Sequence, residues 1–225
     1  MRLYYLAPLL FLLFISCSTN PYDTSTPKNF VISLGKITDQ PKDHNPLPYF
    51  YDEAYAEAIL AFDQAGEKGL DSFDKFRSLI AEKFPKHIKT NREGQLKVSL
   101  DSLGGFDNQN FNYSVSMVGA QMKERKPSDY EFVSASEPDD EGILELKIKI
   151  LGRETTIPLK NTADGYRMFS TEATLDGLKK SIAKINEFDA VFSKGVKWIE
   201  SGELSKKNFK DKIEVLSTEY FKAIQ

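Results

Sequence analysis

The sequence is poor in the residues that carry most catalytic and metal chemistry. It holds one cysteine and two histidines in 225 residues. A single thiol makes no intramolecular disulfide, no Cys-cluster zinc site and no CxxC redox pair. Neither charge sign dominates: 30 Lys and Arg stand against 33 Asp and Glu, a net charge of -3. That balance gives no broad electropositive face for nucleic acid, so nucleic acid is not an expected partner. A membrane-length apolar run is also missing. The longest, Leu3 to Ile15, is 13 residues and includes Pro8 and two tyrosines, against about 20 for a spanning helix. With 40% hydrophobic and 28% charged residues, the rest suits one ordinary globular domain with an appendage.

The appendage is N-terminal. Arg2 precedes the apolar run, which closes on Ser16, Cys17 and Ser18, the three-part layout of a secretory signal peptide. The only cysteine falls where the run stops, and Phe14-Ile15-Ser16-Cys17 resembles the lipobox of bacterial lipoproteins. Phe14 stands where that family prefers leucine, with Leu13 one step earlier; Ser16 fits the last position. The resemblance implies cleavage between Ser16 and Cys17, a diacylglyceryl group on the Cys17 thiol and acylation of the new amino terminus. It places residues 1-16 as signal peptide and the mature chain outside the cytoplasm, lipid-anchored to a bacterial membrane, for which the outer membrane is a candidate. Two or more acyl chains anchor durably where one is marginal.

Residues 17-48 are read as the lipidated cysteine and a tether. Pro21, Pro27, Pro41, Pro46 and Pro48, half of the ten prolines, lie there among polar residues, a composition that favours extended backbone. The apolar island Phe30 to Leu34 is read as one strand on the body. From residue 49 to 225 a single α+β domain is expected. Tyr55, Ala58, Ile59 and Phe62 share a helical face that ends at Gly66 and Gly69, and Phe73, Phe76, Ile80 and Phe84 mark a second helix ending at Pro85. Gln95 to Leu100 alternates. Gly104-Gly105 and Asp107 to Asn110 read as loop, and Phe111 to Arg125 is assigned to helix.

Leu144, Leu146, Ile148 and Ile150 alternate with Glu145, Lys147 and Lys149, which predicts a strand buried on one face. Gly152-Arg153 suits a tight hairpin into Glu154 to Leu159, where Pro158 points to an edge or a strand end. Tyr130 to Ser136 and Tyr166 to Ser170 flank the pair, giving an antiparallel meander of about four strands. Leu175, Leu178, Ile182, Ile185, Phe192, Val196 and Ile199 then follow a helical period, with Asp189 in an apolar place. After Gly202, with Ser205 as a cap, Phe209, Ile213, Leu216, Tyr220 and Ile224 supply a second stripe. The expected architecture is α+β: N-terminal helices, the meander, and a C-terminal antiparallel helical hairpin.

Helices followed by a meander that ends in Gly142-Ile143-Leu144-Glu145-Leu146-Lys147-Ile148, Thr155-Thr156-Ile157-Pro158-Leu159-Lys160 and Asp164-Gly165-Tyr166-Arg167-Met168 resemble the nuclear-transport-factor-2-like (cystatin-like) α+β folds. The resemblance covers Tyr51 to Ser170 and implies a bent sheet wrapped around helices with a conical cavity. The competing expectation is a two-layer domain with helices on one sheet face.

No catalytic set emerges. His44 lies in the tether and His87 just after Pro85, both expected in solvated loops, and no His and Asp pair matches the family's acid-base residues. Ser181-Ile182-Ala183-Lys184 fits S-x-x-K, but no K-T-G follows. The acidic run Glu137 to Glu141 has carboxylates for Ca²⁺ without EF-hand spacing, and is read as a turn. No metal site and no cofactor are expected. Asp189 in its stripe needs a partner or an outward turn. Tyr49, Phe50, Tyr51 and Tyr55 form an aromatic cluster that either stacks on a ligand or partner or staples the tether to the core. The expected function is a non-enzymatic binding or structural lipoprotein of the cell envelope, attached through acyl chains on Cys17, with an unidentified protein or small ligand as partner. The alternative is a pocket-bearing carrier or enzyme of the nuclear-transport-factor-2-like kind.

Overall fold

Thr26 and Pro27 open the first helix. The Thr26 hydroxyl accepts the Asn29 N–H, and Pro27 occupies a first-turn position where a missing N–H costs nothing, so α1 runs Pro27–Gly35. This is seen in a computed structural model that describes residues 20–41, 43–90, 96–98 and 122–224. The expected tether is therefore corrected from residue 20 onward. The island is a helix, not a strand, and its Phe30, Val31 and Leu34 are buried with Tyr22, Ile37 and Leu47. Two of the five prolines sit in first turns of helices instead of extending the chain: Pro48, like Pro27, lies in the first turn of its helix, α2, Leu47–Phe50. Each buried apolar side chain there is worth about 1.5–3 kcal/mol, enough to hold a proline-rich segment on the body.

Asp52 caps α3, Glu53–Lys83, one helix of 31 residues where two were expected. Gly66 and Gly69 do not end it. They are buried on the same face as Phe62, Phe73 and Phe76, and that packing overrides a cost of about 1 kcal/mol per glycine. Strands β1, Ile88–Thr90, and β2, Leu96–Val98, pair antiparallel. The loop expected at Gly104-Gly105 and Asp107 to Asn110, and most of the helix assigned to Phe111 to Arg125, lie outside the described residues. So do Ser16 and Cys17.

The meander is present as expected. β3 Tyr130–Ala135, β4 Ile143–Ile150, β5 Arg153–Thr162 and β6 Gly165–Met168 form an antiparallel sheet in sequence order. Leu144, Leu146 and Ile148 of β4 and Leu159 of β5 are buried, while Glu145, Lys147 and Lys149 face outward. Leu151 and Gly152, both at positive φ, make the β4–β5 turn, one residue earlier than the Gly152-Arg153 pair read from sequence. Positive φ at both central residues matches the twist of the flanking strands. Pro158 falls one residue beyond the end of the β5–β6 ladder, which closes on Leu159 and Met168.

α4, Glu172–Glu200, and α5, Phe209–Ile224, complete the fold. Their antiparallel pairing is fixed by contacts such as Phe188 with Tyr220 and Lys194 with Glu219. Ser205 is not the cap. Its N–H and hydroxyl both donate to Asn208, which immediately precedes α5. The second half of α3 packs on both helices, so Phe76, Ile80, Phe192, Ile213 and Leu216 make one core. A second core lies under the sheet, built from α1, α2 and the first turns of α3. The protein is α+β.

A tyrosine-lined cavity as candidate functional site

The site begins where α2 meets α3. Tyr51 makes a parallel bridge to Met168, the Asp52 N–H donates to the Met168 carbonyl at 2.9 Å, and the Asp52 carboxylate accepts the Ser170 N–H at 2.7 Å. The same carboxylate caps α3 through the Tyr55 N–H. The free edge of β6 is thus tied to the start of α3, which sets Tyr51 and Tyr55 side by side, rings 5.0 Å apart and nearly perpendicular.

The four aromatics read as one cluster divide. Phe50 is fully buried against Phe30 and Tyr22, and Tyr49 stacks on His44 with ring centroids 5.4 Å apart. These two staple the N-terminal segment to the body. His44 is accordingly half-buried among rings, not in a solvated loop as expected, with Nε2 buried and without a hydrogen-bond partner among the described residues. Tyr51 and Tyr55 instead line a cavity of about 240 Å³ beneath the sheet. Its floor is Ile148, Ile150, Ile157 and Met168; Leu34 of α1 and Met122 close it, and Arg125, Tyr130 and Thr155 bring polar groups. Among the described residues, the sheet is not packed solid against its helices.

Burial pushes the phenols of Tyr51, Tyr55 and Tyr130 above the ordinary tyrosine range. At Tyr130 a hydrogen bond from the Arg125 guanidinium opposes that rise without cancelling it. At neutral pH the walls therefore carry three protonated phenols and a cation around an apolar floor. That set can donate hydrogen bonds, and the charges of Asp63, Asp52 and Asp129 add to the rise at Tyr51, Tyr55 and Tyr130 in turn.

A second, more open space of about 570 Å³ shares Arg125, Ile150 and Thr155 with the cavity and has Leu151 and Arg153 on its rim. The rim is braced: the Leu151 N–H donates to the Asp129 carbonyl at 2.8 Å, and Asp129 Oδ2 accepts the Lys126 N–H at 2.7 Å. Leu151 is 64% exposed and holds a positive φ of 51°, a conformation that costs a residue other than glycine about 1 kcal/mol or more.

The other positions singled out in the sequence resolve structurally. Ser181 donates to the Gly177 carbonyl of its own helix. In the acidic run, Asp139 accepts the N–H groups of Glu141 and Ile143 and so shapes the turn into β4. Asp189 is buried and paired with Lys68 and Ser72. Among the described residues no cluster of three or more His, Cys, Asp or Glu could hold a metal ion, and no helix is long and apolar enough to cross a membrane. Arg125, Tyr130 and Thr155 were not foreseen as site residues. Thr155 and Tyr130 were legible only as strand residues, and Arg125 closed a segment whose period is ambiguous.

Comparison of the chain with protein-family models, curated proteins and solved structures finds no match.

Proposed function

We propose that the protein is a non-enzymatic binding protein of a bacterial cell envelope, held outside the cytoplasm by acyl chains on Cys17, with the tyrosine-lined cavity as its binding site. The observation that carries the anchoring is the position of the only cysteine, directly after a 13-residue apolar run and Ser16. Packing adds a constraint. Tyr22 is buried, and five residues of backbone from Cys17 span at most about 18 Å. The body would stand against the membrane surface, not at the end of a long leash.

Cys17→Ala tests the anchor. Wild-type protein should fractionate with membranes and carry the added mass of acyl chains on a mature N-terminus at Cys17. The variant should lose that mass and leave the membrane or accumulate as precursor; unchanged attachment overturns the anchor. For the binding role, hydrolase substrates offered to the purified protein should not be turned over. Turnover that disappears in a Tyr51→Phe variant would instead favour the pocket-bearing enzyme of nuclear-transport-factor-2-like type, the reading that the unfilled space under the sheet also supports.

A further inference from the structure

The charges that bear on the three phenols of the cavity are of both signs. Arg125 acts on Tyr51 and Tyr130, and Asp63, Asp52 and Asp129 act on Tyr51, Tyr55 and Tyr130 in turn. These groups already have protein partners. The Asp52 carboxylate accepts the N–H groups of Tyr55 and Ser170 and the Ser170 hydroxyl, Asp129 accepts the Lys126 N–H, and Arg125 bonds Tyr130. Arg125 and Asp63 have further interactions of their own. We propose that the cavity binds a small neutral molecule, an aromatic ring carrying one hydrogen-bond acceptor such as a carbonyl, with its ring on the isoleucine floor and its acceptor on the phenols of Tyr51 and Tyr55. This ligand class rests on the cavity being the binding site, as proposed above.

Charge, polarity and shape each narrow the ligand. An ion gives up its hydration on entering, and because the charged groups nearby are committed to protein partners, that loss goes uncompensated. A pure hydrocarbon fits less well for another reason: it covers protonated phenols without giving their O–H groups an acceptor. The Tyr51 and Tyr55 rings meet edge to face, 5.0 Å apart, a pair that a third ring can extend, and the Met122 and Met168 thioethers on the lining also favour aromatic neighbours. A cavity of about 150 Å³ holds benzene, so the 240 Å³ here suits a ligand of about nine or ten non-hydrogen atoms.

The test is isoleucine-methyl NMR of the full-length mature protein in lipid nanodiscs, which reads the site itself and is blind to ligand dissolved in the lipid. Ile148 and Ile157 report the floor of the cavity, and Ile213, fully buried in the helical core, reports the fold. Acetophenone is the probe. Isopropylbenzene replaces its carbonyl with hydrocarbon, and benzoate and benzamidinium carry a negative and a positive charge on a molecule of the same size. Acetophenone should move the Ile148 and Ile157 methyls saturably and leave Ile213 still. It should bind about tenfold tighter than either ion and about three- to tenfold tighter than isopropylbenzene. In a Tyr51→Phe/Tyr55→Phe double variant that advantage over isopropylbenzene should vanish, with the affinity for isopropylbenzene and the Ile213 resonance unchanged.

The four probes on wild-type protein decide the ligand class without any variant. Benzoate or benzamidinium binding as tightly as acetophenone overturns the neutral class and leaves the cavity standing as the binding site. Isopropylbenzene binding as tightly as acetophenone, or a preference for acetophenone that survives in the double variant, overturns the contact with the phenols. No saturable movement of the floor methyls with any probe in the millimolar range removes the ligand class and the cavity as binding site together. None of these outcomes bears on the anchor, which membrane fractionation of Cys17→Ala decides.

Discussion

The Asp189 carboxylate lies 2.6 Å from the Lys68 ammonium across the contact between α3 and α4, and the Ser72 hydroxyl donates to its other oxygen at 2.6 Å. Ser193, one turn further along α4, adds a weaker bond at 3.3 Å. A carboxylate in an apolar stripe is tolerated because Lys68, Ser72 and Ser193 give it polar partners. Burial alone would push the Asp189 carboxyl up, but the hydrogen bonds from Lys68 and Ser72, with the Lys68 charge, outweigh it and hold the group below its ordinary 3.8.

The two partners are not equivalent. Lys68 is 68% exposed and Asp189 8%, so the ammonium stays hydrated when its partner is removed, while the serines lose their acceptor. Asp189→Ala should cost about 1–3 kcal/mol and Lys68→Ala under about 1 kcal/mol in urea unfolding. Since the folded-state value is lowered, the Asp189 contribution is present above the unfolded value near 3.8 and is lost as pH falls through the folded one. The gap between wild type and Asp189→Ala should therefore close in acid and stay constant from pH 5 to 8. Equal losses for the two variants would contradict the pairing.

The buried tyrosines give the opposite sign at the other end of the pH scale. Burial, with a smaller push from the charge of Tyr49, raises the Tyr22 phenol to about 12, and Tyr51, Tyr55 and Tyr130 are raised as well. A raised folded-state value means stability that is complete below the unfolded value near 10 and lost as pH rises toward 12. Absorbance at 295 nm should show a late-titrating fraction among the ten tyrosines, released cooperatively with unfolding. The Tyr22 hydroxyl is buried without a hydrogen-bond partner among the described residues. Tyr22→Phe should therefore be neutral or stabilising by up to about 1 kcal/mol and should shrink that late fraction. A Tyr22→Phe loss of more than this would show a partner for the hydroxyl.

Where one physical signal dominated, the sequence could be read. The alternation of Leu144, Leu146, Ile148 and Ile150 against charges identified β4, and with it the meander, because a strand buried on one face has no other pattern. The period of α4 survived Asp189, since a single paired carboxylate does not shift an apolar stripe. Composition misled at the N-terminus: five prolines suggested extension, although Thr26-Pro27 is also a helix start and Phe30, Val31 and Leu34 are spaced for one face. At Gly66 and Gly69 local propensity lost to packing. Two of the five polar residues of the site were visible, as the aromatics at 51 and 55. Arg125 and Tyr130 were not, because a cavity is made by elements distant in sequence and leaves no spacing of its own.

The sharpest consequence of that correction concerns α1. Phe30 is fully buried and 5.4 Å from the Phe50 ring, and the Ser33 hydroxyl donates to the Asp23 carbonyl at 2.8 Å. A tether would tolerate any substitution here; a core helix would not. Phe30→Ala should destabilise the protein by about 3–5 kcal/mol, while Ile32→Ala, 49% exposed on the same helix, should stay within about 0.5 kcal/mol. Limited trypsin digestion gives an independent readout, since Lys28 and Lys36 bracket the buried face. Cleavage at both should follow global unfolding in the wild type and become rapid in Phe30→Ala. Rapid cleavage of the wild type, with Phe30→Ala as stable as its parent, would mean that residues 27–36 are held loosely. The Leu34 wall of the cavity would then be lost with them.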